Sequence, residues 1–401
     1  PHGAAAVHSR PHLVSQLALL VQRSVPDSGD SPTVLLLAGE ASGDHHGAGV
    51  ARALRRRLPN ARLLGLGGPL MQREGVELLA GLDELAVMGF AEIVGRLEFF
   101  RDLERRITSL VWSTDLVIAI DYPGFNMRIA RVAHDAGRPV LYYIAPKVWA
   151  SRPGRAKRLA AVTDRVAVIF PFEVEILEAA GATVDYVGNP LLDRPDDVVD
   201  AATFHETWGL DPARPILAIL PGSRKQEIER HLGLFLQAVD LVRRSRPDVQ
   251  PVISRAATLP RALYRDVGCP VVDDTRALLR HARAGLVKSG TSTLEAALEG
   301  TPFVVAYRMS PLSWQIVKRV LRVKNVSLAN LVAGADIVPE LLQDDAVPEG
   351  LAEALSPLLD DESPEHRKQV DGLSKIRGLL GTPGASERVA ELGIGLLQVR
   401  A

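Results

Sequence analysis

The sequence predicts an α/β fold of two Rossmann-like domains, each with a doubly wound parallel sheet, that face a cleft. Short continuous apolar runs alternate with amphipathic helical patterns, which is typical of parallel sheets covered by helices on both faces. Repeated strand–helix–strand units indicate double winding. A loop-like stretch rich in Pro and Asp, Gly188–Pro215, interrupts the series, and a second series begins after it. We expect ligands in the cleft, at the carboxyl ends of the strands.

The predicted elements follow these runs in chain order. The strands of the first series are Val34–Leu37, Arg62–Leu66, Leu116–Ile120, Val140–Ile144 and Arg165–Ile169. Those of the second series are Ile216–Leu220, Pro251–Ser254, Gly285–Val287 and Phe303–Tyr307. The clearest helical patterns are Gly47–Leu58, Ile129–Ala136, Phe172–Ala180, Gln226–Ser245 and Thr293–Glu299. We therefore expect domains at 33–200 and 201–373, a helical segment at 374–401, and a poorly ordered extension at 1–32 that is not a signal peptide.

Composition narrows the classes of function. The 401 residues are 47% hydrophobic and 24% charged, which is a globular composition, and the net charge of −1 provides no overall field for binding nucleic acid. The single cysteine, Cys269, excludes an internal disulfide and a multi-cysteine metal site, and it fits a reducing cytosolic compartment. No apolar run reaches the roughly 20 residues of a membrane-spanning helix.

The stretch Thr33–Leu58, TVLLLAGEASGDHHGAGVARALRRRL, runs from a strand through a glycine-rich turn into a helix. Its glycines are four residues apart: Gly39, Gly43 and Gly47. It matches neither a P-loop nor GxGxxG. The glycines serve either tight strand–helix packing or the approach of a ligand to the backbone. In the second case the side chains facing the cleft are Glu40, Ser42 and Asp44, and two carboxylates suit sugar hydroxyls better than an anion.

Two later turns are better candidates for binding phosphate. In LPGSRKQEIERHL, a strand ends and a helix begins at Gly222, Ser223 and Arg224, so free N–H groups, the helix dipole and a guanidinium favour an anion. A second turn before a helix is rich in hydroxyls: Ser289, Gly290, Thr291, Ser292 and Thr293. Ordinary helix capping would explain this second turn alone, but two such turns in one domain, one of them with an arginine, favour a diphosphate. Glu295, one turn into the second helix, is then well placed for ribose hydroxyls.

A carboxylate ends one of the buried strands. Asp121 follows Leu116–Ile120 in LVIAIDYPGFN, where a raised proton affinity would make it a general base, although a turn or capping role is the alternative. Asn126 follows five residues later and would orient Asp121 or the substrate. The chain has no Asp-x-Asp pair of the kind that holds a metal-bound diphosphate, so we expect catalysis without a metal or cofactor.

The segment Glu84–Ile107 combines apolar residues with arginines. The residues expected to face a membrane are Leu85, Val87, Met88, Phe90, Ile93, Val94 and Leu97. A buried core helix is the alternative, because the spacing is helical. We favour contact with an anionic membrane surface, because the apolar residues extend beyond one helical stripe and arginines flank them.

Eight stretches together resemble the lipid-A-disaccharide synthase family of GT-B glycosyltransferases. They occur in the family's order from about Thr33 to about Gln343: LLLAGEASGDHHGAGV, ELAVMGFAEIVGRL, AIDYPGFN, YYIAPKVWA, LPGSR, KSGTSTLEA, AYRMSPLSW and SLANLVAGADIVPELLQ. The chain departs from the family's pattern at Lys147, Ser151 and Asn189. The family has a histidine at the position of Asn189, so any role of that histidine is absent here.

The resemblance implies an inverting transfer of 2,3-diacylglucosamine from UDP to the 6-hydroxyl of 2,3-diacylglucosamine 1-phosphate, at the cytoplasmic face of the inner membrane. It implies that Asp121 is the general base and that Asn330, in SLANL, lies near the donor. UDP would bind Arg224 and the Ser289–Thr293 turn, with Glu295 on ribose. The acceptor side would comprise Glu40, Ser42, Asp44 and Asn126. The C-terminal segment would pack on the first domain, and a homodimer is left open.

Two alternatives remain at this point. Another GT-B enzyme that uses a UDP-sugar, such as a non-hydrolysing UDP-GlcNAc 2-epimerase or a UDP-GlcNAc transferase to a different lipid, would share the donor turns. An epimerase needs no large apolar entrance, so the apolar segment argues against it. A membrane-surface binding protein with an inert cleft would not need Asp121, Arg224 and Glu295 together.

Overall fold

The computed structural model describes residues 31–85, 97–148, 154–310, 314–315 and 325–399, and within them the strands form two parallel sheets. The first sheet contains β1 (Thr33–Ala38), β2 (Arg62–Gly67), β3 (Glu77–Gly81), β4 (Leu116–Ile120), β5 (Val140–Tyr143), β6 (Arg165–Val168) and β7 (Val184–Tyr186). The second contains β8 (Ile216–Leu220), β9 (Gln250–Ser254), β10 (Val271–Val272), β11 (Ala284–Lys288), β12 (Phe303–Tyr307) and β13 (Glu340–Leu342). The predicted fold class is confirmed.

Helices connect the strands on both faces of each sheet. In the first domain they are Ala41–Arg57, Pro69–Arg73, Leu82–Leu85, Leu97–Val111, Pro123–Asp135, Gly154–Ala160 and Phe172–Glu178. Further along the chain they are Ala201–Trp208, Lys225–Ser245, Thr275–His281, Ser292–Glu299, Leu328–Ala333, Pro348–Leu355, Pro364–Ser374, Ile376–Leu379 and Ala385–Gln398. Short 3-10 helices lie at Pro190–Asp193, Arg261–Tyr264 and Ser356–Leu359.

The order of the strands determines where each sheet opens. The first sheet runs β3-β2-β1-β4-β5-β6-β7 and the second β10-β9-β8-β11-β12-β13. The connections therefore reverse direction between β1 and β4 and between β8 and β11. At such a switch point the helices leave a crevice at the carboxyl ends of the two strands. Each domain thus has one preferred ligand-binding edge.

The apolar runs form strands because both faces of each sheet are covered. Val34–Ala38 of β1 is fully buried. Leu36 packs in one cluster with the helices Ala41–Arg57 and Ala385–Gln398, and Leu35 in another with Leu97–Val111 and Pro123–Asp135. Such burial contributes roughly 1.5–3 kcal/mol per large side chain, which explains why Val34–Ala38 contains no polar residue.

Some boundaries differ from the prediction. The stretch Gly188–Pro215 is not simply a loop, because it contains the helix Ala201–Trp208. Asp200 caps this helix by accepting a hydrogen bond from the Thr203 N–H (3.0 Å). The first helix begins at Ala41 and not at Gly47, so of the three glycines only Gly39 lies in the turn. The four strands β3, β7, β10 and β13 were not predicted.

The chain crosses between the domains twice, and the two crossings contact each other. The Asn189 N–H donates to the Leu380 carbonyl (3.0 Å), and the Arg388 guanidinium donates to the Val187 carbonyl (2.9 Å). The helix Ala385–Gln398 then packs on Ala41–Arg57, where Arg57 pairs with Glu391 (2.5 Å). The last helix therefore belongs to the first domain, although its sequence follows the second.

Candidate active site

Asp121 lies at the switch point of the first sheet, directly after β4. It and Tyr122 both adopt the left-handed backbone conformation, with φ of 46° and 48°. The backbone is held on three sides, because the Asp121 N–H donates to the Tyr143 carbonyl (2.9 Å), while its own carbonyl accepts from Asn126 Nδ2 and the Tyr142 hydroxyl (both 2.8 Å). Two consecutive strained residues that neighbours hold in place are typical of a functional site.

The surroundings of Asp121 favour its protonated form. Burial raises the pKa of Asp121 above its usual value, and the nearby Glu40 carboxylate raises this pKa further. Lys147, the Tyr122 N–H and Arg224 oppose this shift without cancelling it. A carboxylate with raised proton affinity at the mouth of a cleft can accept a proton from a substrate hydroxyl.

The glycine-rich turn is explained by contacts within the protein. A Cβ on Gly39 would lie 2.2 Å from the Tyr122 ring, so glycine is needed for Tyr122 to cover the end of β1. A Cβ on Gly47 would lie 2.5 Å from the Met71 sulfur, and Gly43 lies against Ala38. These glycines allow the packing of the strand and helix, which is the first of the two alternatives that the sequence left open.

Asp44 was expected to face the cleft, and this prediction is wrong. Its carboxylate is buried and accepts hydrogen bonds from the N–H groups of Gly68 (2.8 Å), Leu70 (3.1 Å) and Met71 (2.9 Å). It therefore caps the start of the helix Pro69–Arg73. A Cβ on Gly68 would lie 2.5 Å from this carboxylate, which explains the glycine at position 68.

The other residues assigned to the acceptor side have different positions. Glu40 and Ser42 are exposed at the start of the helix Ala41–Arg57. Asn126 is fully buried, and its Nδ2 donates to the carbonyls of Leu37 and Ile120 as well as to that of Asp121. Asn126 is thus a positioning residue for Asp121.

The switch point of the second sheet brings the two phosphate candidates together. Gly222 has a φ of 133°, and Ser223 and Arg224 are exposed just before the helix Lys225–Ser245. Glu227, in the first turn of this helix, accepts a hydrogen bond from the Ser223 N–H (2.9 Å). Its other oxygen pairs with Lys288 at the end of β11 (2.8 Å). Neither Glu227 nor Lys288 was predicted, although Glu227 has the spacing of a capping residue.

The hydroxyl-rich turn has one open side. Thr291 is exposed and Ser292 is partly exposed, whereas Thr293 is buried and donates to the Gly290 carbonyl (2.8 Å). The Ser289 hydroxyl donates to the Val326 carbonyl (2.9 Å). The hydroxyls of Ser289 and Thr293 therefore shape the turn, which corrects their expected role as direct phosphate ligands.

Asn330 was expected near the donor, but it is buried and all its hydrogen-bonding groups are used within the protein. Its amide nitrogen donates to the Val338 carbonyl and to Glu340, and its oxygen accepts from the N–H groups of Ile337 and Val338. Glu340 in turn accepts from the Val326 N–H (2.8 Å), and Val326 contacts Ser289. Asn330 is thus a positioning residue for the hydroxyl-rich turn.

One ion pair joins the two switch points across the cleft, and a second connects the linker to the second domain. Arg224 lies 3.9 Å from Glu40, and both side chains are more than half exposed. Arg194, in the linker between the domains, pairs with Glu295 (2.7 Å), so the residue expected to hold ribose contacts an arginine. The two carboxylates at the cleft, Asp121 and Glu40, therefore face the cationic side of the second domain.

Leu85 was expected to face a membrane and does not. It is buried in a core cluster with Leu103 and Ile107 of the helix Leu97–Val111. Five other residues of that prediction lie outside the described residues: Val87, Met88, Phe90, Ile93 and Val94. The side chain of Leu97 is also outside the described part of the chain. Within the described ranges, no helix has the length and apolar character needed to cross a bilayer.

Comparison with known proteins gives the family. The model of the family described as lipid-A-disaccharide synthetase matches residues 34–388. A lipid-A-disaccharide synthase from Geobacter sulfurreducens is 39% identical over 376 residues, which cover 92% of this chain and 98% of the relative. The chain belongs to the lipid-A-disaccharide synthetase family. It is therefore a glycosyltransferase of lipid A biosynthesis, and the resemblance noted in the sequence is confirmed.

Solved structures show the fold at low sequence identity. CalG4, the calicheamicin glycosyltransferase, has a TM-score of 0.56 and 16% identity, with 92% of this chain and 99% of that chain covered. The UDP-GlcNAc 2-epimerase from Neisseria meningitidis, solved with UDP-GlcNAc, has a TM-score of 0.56 and 10% identity, with 92% and 100% covered. The lipid-A-disaccharide synthetase family member described here thus has the GT-B fold.

Proposed function

We propose that the protein transfers 2,3-diacylglucosamine from UDP to the 6-hydroxyl of 2,3-diacylglucosamine 1-phosphate, with inversion at the anomeric carbon. The products are a β-1,6-linked disaccharide and UDP. The observation that carries the proposal is the Glu40–Arg224 contact across the cleft. Through this contact, the edge of the first domain that contains Asp121 lies next to the turns of the second domain that we propose to bind phosphate.

The chemistry needs one base and one stabilised leaving group. Asp121 accepts the proton of the acceptor hydroxyl as its oxygen attacks the anomeric carbon of the donor. The bond from that carbon to the diphosphate oxygen breaks, and its electron pair leaves with UDP. Attack from the face opposite the leaving group inverts the configuration. The raised pKa of Asp121 supports its role as base, because it improves the match to a hydroxyl proton.

On the donor side, we assign the diphosphate to the turns at Gly222–Arg224 and Ser289–Thr293. Both turns precede helices at the switch point of the second sheet, where backbone N–H groups favour an anion. Glu295 is assigned to the ribose hydroxyls. Since Glu295 pairs with Arg194 in this structure, the ribose would replace this partner or share it.

On the acceptor side, we propose a peripheral site on the cytoplasmic face of the inner membrane. The support is the apolar segment 86–96 with its adjacent arginines, of which Arg101, Arg105 and Arg106 are exposed on the helix Leu97–Val111. The double variant Met88→Ser with Phe90→Ser should reduce sedimentation with anionic vesicles. Trp112→Ser is the matched control, because Trp112 is exposed at the far end of that helix. Unchanged sedimentation of the double variant would contradict membrane contact by this segment.

The decisive assay supplies UDP-2,3-diacylglucosamine and 2,3-diacylglucosamine 1-phosphate and measures UDP release together with a lipid of disaccharide mass. UDP-GlcNAc without acyl chains is the comparison substrate. The proposal expects turnover with the acylated pair and little with UDP-GlcNAc. Conversion of UDP-GlcNAc to its 2-epimer, without formation of a disaccharide, would instead identify an epimerase.

A further inference from the structure

A largely buried lysine lies between the two turns of the second switch point. Lys288 is the last residue of β11, and only 15% of its side chain is exposed. Its ammonium lies 2.8 Å from Glu227 and 5.3 Å from the centre of the Tyr307 ring. The Glu227 carboxylate and the face of the Tyr307 ring stabilise the charged ammonium at this position.

The same ammonium lies beside one candidate phosphate turn and is linked to the other through Glu227. It lies 3.6 Å from the position that a Cβ would occupy at Gly290, so it lies beside the hydroxyl-rich turn. Through Glu227 it is linked to the Ser223 N–H of the other turn.

The charges around Lys288 favour the binding of an anion. Burial lowers the pKa of Lys288, and although Glu227 opposes this, the positive charges of Arg224 and Lys147 lower the pKa further. Lys288 thus has one carboxylate partner, Glu227, and two further cations, Arg224 and Lys147, near it. The helix dipoles of Lys225–Ser245 and Ser292–Glu299 add positive potential at the same place.

We propose that Lys288 is a ligand of the donor diphosphate, with Glu227 as its counter-ion while the site is empty. When the nucleotide binds, the ammonium is shared between Glu227 and the diphosphate. As the bond to the anomeric carbon breaks, Lys288 neutralises charge on the oxygen that leaves with UDP. This inference rests on the proposed function, because it requires a nucleoside diphosphate donor.

The test compares uridine and UDP binding by calorimetry in the wild type, Lys288→Met and Lys375→Met. Lys375 is the matched control, because it is an exposed lysine that pairs with a carboxylate, Asp371, away from both turns. We expect Lys288→Met to weaken UDP binding about 30-fold and to leave uridine binding within about twofold, since a charge-assisted hydrogen bond is lost. Equal UDP affinity, or an equal loss for uridine and UDP, overturns the inference. A wild type that binds no UDP contradicts the proposed function instead.

Glu227→Gln gives an independent readout that a purely structural ion pair would not produce. The amide oxygen can still accept from Ser223, but the competing negative charge is gone. We expect UDP to bind about threefold more tightly, with uridine unchanged. An unchanged or weaker UDP affinity in this variant, with a melting temperature close to the wild type, overturns the counter-ion role. This variant also tests the inference if Lys288→Met does not fold.

Discussion

At the scale of single residues, Asp121 is held in position by hydrogen bonds of its backbone. Three hydrogen bonds fix the Asp121 peptide groups, and they come from Tyr143, Tyr142 and Asn126. Tyr142 and Tyr143 lie on β5, and Asn126 lies on the helix Pro123–Asp135 that follows Asp121. The carboxylate is therefore held at the edge of the sheet and remains available to a substrate. Fixed geometry of this kind is what a general base requires.

Asp121→Asn should lower the rate of disaccharide formation about 10²- to 10⁴-fold, the usual contribution of a general base. UDP affinity should stay within about twofold, because Asp121 is on the other side of the cleft from the donor turns. Turnover by discontinuous lipid assay and UDP binding by calorimetry check both parts. Asp135→Asn, an exposed position at the end of the helix Pro123–Asp135, is the control. A variant at 121 with wild-type turnover would remove Asp121 from the mechanism.

The pH profile should respond in opposite directions to two substitutions beside Asp121. Activity requires ionised Asp121, so it should fall as the pH drops through the raised pKa of this group. Glu40 raises the pKa of Asp121, so Glu40→Gln should move the acidic limb of kcat/KM to lower pH. Lys147 lowers the pKa of Asp121, so Lys147→Met should move the limb to higher pH. Shifts in the same direction, or none, would show that another group controls the limb.

At the scale of elements, the helix Ala41–Arg57 connects the parts of the first domain near the cleft. Its Asp44 binds the start of Pro69–Arg73, and its C-terminal half packs on Ala385–Gln398. The position of the β1 turn therefore depends on contacts with residues far away in the chain. The residues that hold this helix should contribute to stability rather than to turnover.

Asp44→Ala should lower the free energy of unfolding by about 3 kcal/mol, because it leaves buried N–H groups without an acceptor. Urea denaturation followed by circular dichroism measures this change. Ser42→Ala, two residues earlier and exposed, should change the free energy by less than about 0.5 kcal/mol. If both variants are equally stable, the cap at Pro69–Arg73 does not contribute as the structure implies.

At the scale of the whole molecule, the two sides of the cleft are joined by weak contacts. The Glu40–Arg224 pair is long and largely exposed, and such pairs contribute about 0–1 kcal/mol. The firm connection is the hinge, where Asn189 contacts Leu380 and Arg388 contacts Val187. The Glu40–Arg224 contact therefore adds little to the stability of the folded chain.

Arg224→Ala should therefore weaken UDP binding about 10-fold or more while leaving the melting temperature within about 1 °C. Calorimetry and thermal unfolding measure the two effects separately. Arg244→Ala, on the exposed far end of the same helix, is the control and should change neither. A large loss of stability with Arg224→Ala would mean that the contact across the cleft holds the domains together.

The sequence by itself determined the two parallel sheets and the residues at their switch points. Continuous apolar runs followed by polar or glycine residues are local signals, and they identified β1, β4, β8 and β11 with the turns behind them. The strands that escaped prediction are edge or outer strands such as β3 and β13. They are only partly buried, so their sequence carries no continuous apolar run.

Only the tertiary structure decided which polar side chains face the cleft. Asp44 and Asp121 both follow a strand, but the partners of Asp44 lie 24 to 27 residues away and bury it. Lys288 and Glu227 are 61 residues apart and meet only because β8 and β11 are neighbours in the sheet. A side chain's role depends on which distant groups satisfy its hydrogen bonds and charge, and that information is absent from the local sequence.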